Sequence, residues 1–83
     1  MITLPPALEK VFRAFSLDTD VPFIQVYRIV CPEDTTPDKK LKNVQQRIGP
    51  YISRINRRIG SHKMAIVPGV ARRTYRLVCI KRR

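Results

Sequence analysis

An α+β fold, with helices leading and a β-hairpin closing, is predicted by two changes of pattern along the 83 residues. From Leu41 to Gly60 the apolar residues Leu41, Val44, Ile48, Ile52, Ile55 and Ile59 recur at steps of three and four, the spacing of one helix face. After Gly60 the period falls to two. Met64 to Val67 and Thr74 to Ile80 read as strands, with Pro68-Gly69 opening the turn between them. A third observation bears on function: every acid (Glu9, Asp18, Asp20, Glu33, Asp34, Asp38) precedes Lys39, while residues 39–83 hold fourteen Lys and Arg and no acid.

Taken in order, Ile2-Thr3-Leu4 reads either as a short strand or as an apolar lead-in. Pro5 and Pro6 suit the first turn of a helix, where a missing N–H costs little. Leu8, Val11, Phe12 and Phe15 then mark the apolar face of a helix over 5–16. Ser16 to Pro22 reads as a loop, with Asp18, Thr19 and Asp20 as turn formers. FIQVYRIV, Phe23 to Val30, reads two ways: its β-branched and aromatic content favours a strand, while Phe23, Val26, Tyr27 and Val30 fit a helix. Thr36 as N-cap, Pro37 at the first helical position and Asp38 in the first turn predict a helix start. That helix meets a break signal at Gly49-Pro50, read as a kink or as the division of a basic stretch over 37–48 from a helix over 50–60, with Pro50 in its first turn. Gly60 is the expected C-cap. In the second strand Tyr75, Leu77 and Cys79 share one face and Arg76, Val78 and Ile80 the other, and Lys81, Arg82 and Arg83 form a basic tail.

A chain of this length makes one domain, 1–83, burying about 60% of the surface that its unfolded form exposes. The formal net charge is +11, divided between a first part near −3 and a second at +14. So large a field of one sign costs stability through self-repulsion, and nucleic acid is the commonest partner that offsets it. Between the apolar positions of the long stretch stand Lys42, Arg47, Arg54, Arg57 and Arg58, with Asn43, Gln45, Gln46, Tyr51 and Asn56. One side of the helix can be buried while the other offers cations and amides to a polyanion. Cys31 and Cys79, with His62 the one histidine, are too few for a zinc site and read as small buried hydrophobes in a reducing compartment. No metal or cofactor is expected. With no carboxylate in the basic half, no close Cys–His pair and no glycine-rich phosphate loop, enzyme chemistry is not expected either. The sequence shows no membrane span and no secretory signal, so a cytoplasmic, nucleoid-associated protein is expected, or a nuclear one if its source has a nucleus.

IGPYISRINRRIG and MAIVPGVARRTYRLV together resemble the C-terminal half of the DNA-binding domains of OmpR/PhoB-type response regulators. The residues that carry the likeness are Ile52-Ser53-Arg54-Ile55-Asn56-Arg57-Arg58-Ile59, Val67-Pro68-Gly69 and Tyr75-Arg76-Leu77. LPPALEKVFRAF resembles that family's first helix, and Phe23 to Val30 would match its short second helix. The resemblance implies a small winged helix-turn-helix: three helices plus a C-terminal β-hairpin wing. It is specific in the last 35 residues. The turn VARR is longer and more basic than the family's, the connection from Cys31 to Gln46 carries an extra helical stretch, and no receiver domain is present. Phosphorylation-controlled dimerisation is therefore not implied.

In that family the recognition helix lies in the major groove and the hairpin reaches a neighbouring minor groove or the backbone. Position by position, this implicates Arg47, Tyr51, Ser53, Arg54, Asn56 and Arg57 on the helix. Arg54 is the expected base reader, because arginine donates two bonds to guanine O6 and N7. Arg58, Lys42 and Lys63 are expected at phosphates, and Arg72 and Arg73 suit a narrow minor groove. Tyr75 is expected in the core. The expected function is sequence-specific double-stranded DNA binding by a small transcriptional regulator. The alternatives are an RNA- or ribosome-associated basic protein, or a protein-binding module acting on RNA polymerase or another acidic partner. A homodimer is compatible with each.

Overall fold

The computed structural model describes residues 3–80. The Ile2 end of the lead-in strand alternative and the basic tail Lys81–Arg83 lie outside them. Helix α1 spans Pro6–Phe12, with Pro6 in its first turn and extended Pro5 preceding it. It is shorter than the expected 5–16. After Phe12 the amides of Ala14 and Phe15 bond three residues back, to Val11 and Phe12, tightening the chain out of the helix. That tightening lets Phe15 stay buried while Leu17 and Asp18 reach the sheet.

The expected loop at 16–22 contains a strand, β1 (Asp20–Pro22), preceded by Asp18 in the left-handed conformation at φ 60°. β1 pairs antiparallel with β3 (Thr74–Cys79), Val21 opposite Tyr75, and β3 pairs antiparallel with β2 (Met64–Pro68). The sheet is thus three-stranded, in the order β1-β3-β2. The hairpin matches expectation within a residue at each strand.

Helix α2 (Phe23–Val30) is the helix that the resemblance implied for the segment that reads two ways. A strand would have put Gln25 on the same face as Phe23 and Tyr27. The helix leaves Gln25 exposed and buries Val26 and Tyr27, while Phe23 lies on Tyr75 with ring centroids 4.6 Å apart. Burial decides against β-propensity here.

Beyond α2 the expected helix start at Pro37 is one 3-10 turn, Asp38–Lys40. Its neighbours are drawn to α2 instead. Arg28 donates to the carbonyls of Asp34 and Thr36 and pairs with Asp38 at 2.9 Å, and the Tyr27 hydroxyl donates to the Asp34 carboxylate. The Thr36 amide donates to Asp34 Oδ1 at 2.9 Å, so Thr36 completes a turn rather than a cap.

One helix, α3 (Val44–Ile59), then runs unbroken, so the expected division at Gly49-Pro50 is not present. It opens from Asn43 at φ 60° and ψ 31°, a conformation asparagine tolerates better than most residues. Pro50 lies in the helix interior, not in a first turn, and leaves the Gln46 carbonyl without its helical donor. Gly49 before it has no Cβ for the proline ring to crowd. The helix ends by running through Gly60, itself right-handed, into a second 3-10 turn (Gly60–His62), and the left-handed stop is Lys63 at φ 59°. Gly60 is the C-cap as expected, its amide donating to the Asn56 carbonyl, but it is right-handed rather than a left-handed stop.

The core is built on α3. Val44, Ile48, Ile52, Ile55 and Ile59 are all buried, and Leu8, Val11, Phe15, Val26, Ile66 and Leu77 join them in one cluster. At about 1.5–3 kcal/mol for each fully buried aliphatic side chain, this row is the largest single contribution to the fold. Both cysteines are free. Cys31 is half-buried and Cys79, the last residue of β3, is exposed, contrary to expectation.

Candidate nucleic-acid interface

The phase of α3 sorts its polar residues into three strips. Opposite the buried row, at helical spacing, stand Gln46, Pro50, Ser53 and Arg57, all exposed. On the flank towards α1 and α2 stand Arg47, Tyr51, Arg54 and Arg58. On the flank towards the sheet stand Gln45 and Asn56.

Asn56 leaves the expected base-reading set. Its Nδ2 donates to the Ile66 carbonyl at 3.0 Å, and the Ile66 amide donates to its Oδ1 at 2.7 Å. Both ends of the amide are thus engaged in holding β2 against α3. Tyr51 is half-buried, and with Arg54, Arg57 and Arg58 it borders a depression whose other wall is Pro5, Ala7 and Leu8 of the α1 region. Arg47 reaches the Tyr27 hydroxyl at 3.3 Å, close to Lys42 and the Asp34 turn. Lys63 stands at the base of the hairpin, where its carbonyl accepts from the Ile80 amide at 2.7 Å. It is separated from the hairpin tip by the whole of β2, about 17 Å at the rise of a strand.

The tip itself is tightly specified. The Asp20 carboxylate accepts from the amides of Val70 (3.3 Å) and Ala71 (2.9 Å) and from Arg76 Nε (2.7 Å). The Thr74 hydroxyl donates to the Ala71 carbonyl at 2.7 Å, and the Gly69 amide to the Thr74 carbonyl at 2.9 Å. A Cβ on Gly69 would fall 2.1 Å from Thr74 Oγ1 and 2.7 Å from Asp20 Oδ1, so only glycine fits there. The Arg73 carbonyl accepts from the Phe23 amide at 2.9 Å, tying the tip to the start of α2. Arg73 holds φ 56°, a left-handed conformation that glycine or asparagine would adopt at less cost.

This scaffold brings Arg73 beside Asn43, Gln45 and Gln46 at the start of α3. The two glutamines stand in the sequence as part of a polar face, but nothing in the spacing marks them as neighbours of the hairpin. Their amides become candidates for base edges once the tip is placed. Among the described residues, the only ion pairs are Arg13–Glu9, Arg28–Asp38 and Arg76–Asp20. Arg47, Arg54, Arg57, Arg58, Arg72 and Arg73 therefore have no carboxylate within 4 Å. Their charge faces solvent uncompensated, as phosphate contacts require.

The Ala71 amide, then Arg76 and the Val70 amide, hold the Asp20 carboxyl below its usual range. The hydroxyl of Thr36 first, then that of Tyr27, does the same to Asp34. A depressed folded-state value stabilises the fold fully above the ordinary carboxylate value, about 3.9, and the contribution is lost as pH falls through the depressed one. Denaturation followed from pH 7 to pH 2 is therefore expected to show stability falling below about pH 4, with a shallower fall in Asp20→Asn. Asn56→Ala is expected to lower unfolding free energy by about 1–3 kcal/mol, because it orphans the Ile66 amide and carbonyl. Urea denaturation checks it, and a change in duplex specificity without loss of stability would return Asn56 to the reading set.

No helix among the described residues is long and apolar enough to cross a membrane. A scan against models of protein families finds no match, and comparisons with curated proteins and with solved structures find none either.

Proposed function

We propose that this chain is a sequence-specific double-stranded DNA binder of the winged helix-turn-helix type, serving as a small transcriptional regulator. The observation that carries the reading is the pairing of an exposed, arginine-bearing face of α3 with a hairpin whose Arg73 is held beside the first turn of that helix. A helix of 16 residues with one free face has the dimensions to enter a major groove. The order helix, strand, helix, helix, hairpin, with β1 added to the hairpin's second strand, supports the winged reading.

In this arrangement Gln46, Ser53 and Arg57 face the base edges, with Arg54 at the side of the helix donating two bonds to guanine. Arg47, Arg58, Lys42 and Lys63 meet phosphates at the two ends of α3. Arg72 and Arg73 enter the adjacent minor groove or lie along its backbone. The strained φ of Arg73 fits such a role, since a costly conformation at a surface tip persists where the side chain is needed.

Selection of bound duplexes from a random pool, followed by competition with structured RNA at moderate salt, tests the proposal; preference for RNA, or no enriched sequence, refutes it. Two variants resolve the roles. Arg54→Ala is expected to lose affinity for the selected site while keeping its affinity for random duplex, a cost of about 1–3 kcal/mol in discrimination. Arg72→Ala with Arg73→Gly is expected to weaken binding to all sequences and to reduce the salt slope by about 2. The glycine should at the same time raise the melting temperature, because it relieves the left-handed strain.

A further inference from the structure

The depression between α1 and α3 is not explained by a duplex. It encloses about 440 Å³, and its wall of Pro5, Ala7, Leu8 and Tyr51 is apolar, whereas a sugar-phosphate backbone has no side chain to fill such a space. Ala7 and Tyr51 also border a second depression, about 160 Å³, walled by Ile29, Val30 and Pro32. The two share those residues as a common sill, so an open apolar trough crosses all three helices. Its charge is of one sign. Arg54, Arg57 and Arg58 rim one end and Lys10 the other, and neither depression is lined by an acid. Among the described residues these four cations have no carboxylate partner within 4 Å, and Glu9, the nearest acid in sequence, pairs with Arg13 at 3.0 Å.

We propose that this trough docks an acidic amphipathic segment of a partner protein. Two apolar anchors, a helical turn or two apart, fill the depressions on either side of Tyr51, and carboxylates beside them meet the cations at each end. Helix-in-groove recognition has this form: apolar anchors give affinity, and flanking charges set orientation and exclude wrong partners. Charge complementarity selects the occupant, since a basic or neutral segment would leave four cations facing a dry wall without counter-charge. The trough lies on the α1 side of α3, meets the outer strip at Arg57, and does not depend on the duplex reading. Arg54 and Arg57 border both surfaces, so an acidic segment in the trough would also lower the charge available to a duplex.

Fluorescence anisotropy on the full chain tests this with a fluorescein-labelled peptide of about 12 residues, carrying Leu and Phe at positions i and i+4 and Glu and Asp elsewhere. A scrambled peptide of the same composition is the control. The patterned peptide is expected to bind about tenfold more tightly than the scrambled one. Ala7→Glu, an exposed change on α1, is expected to erase that preference without lowering the thermal melt. In the wild-type protein, where no variant's folding matters, amide shifts on titration are expected at Ala7, Val30 and Tyr51. Equal binding of the two peptides would mean that charge alone is read and would overturn the proposal. Shifts confined to the hairpin, or a preference that survives Ala7→Glu, would also overturn it. Self-association in sedimentation, abolished by Ala7→Glu, would overturn it in favour of a second copy of this chain.

Discussion

The burial of one aliphatic row on α3 is the constraint on which the rest of the structure depends. Val44, Ile48, Ile52, Ile55 and Ile59 give the small domain its core, and α1, α2 and the sheet each pack against it. Keeping that row continuous explains why the chain accepts a proline in the helix interior: a break at Pro50 would separate Val44 and Ile48 from the other three. Gly49 eases the proline's steric demand, and packing offsets the missing hydrogen bond. The same row sets the rotation of the helix and so decides which cations face solvent.

Electrostatics divides the molecule in a second way. Four of the six acids are drawn into local work: Asp20 holds the hairpin tip, Asp34 and Asp38 bind the connection to α2, and Glu9 pairs within α1. Among the described residues only Asp20 reaches into the basic part, through two amides and one arginine. The remaining cations repel one another with little internal relief. A fold that carries this cost is poised to gain free energy from any polyanion, through counterion release at a duplex or carboxylates in the trough.

Much of the architecture was legible because it rests on local periodicity. The amphipathic row of α3, the hairpin and the proline-led start of α1 depend on residues a few positions apart. The misses share a cause. β1 is three residues long and carries no period; it is a strand only because Arg76 and Tyr75, more than fifty residues on, stand opposite it. The start of α3 moved from Pro37 to Val44 because Arg28 and Tyr27 compete for the turn at Asp34. Asn56 was implicated by its position in the resemblance to a recognition helix; its partner is a backbone ten residues away on another element.

By itself, then, the sequence determined the class of element at most positions, the row that must be buried and the segregation of charge, since each follows from side-chain chemistry at short range. Only the tertiary structure decided that α3 is one helix, that Asp20 and Gly69 form one joint, and that Arg73 stands beside Gln45 and Gln46. It also decided that Tyr51, Arg54, Arg57 and Arg58 face α1 across an apolar trough. These are relations between distant parts of the chain. They are set by which surfaces the core brings together, and local spacing carries no record of them.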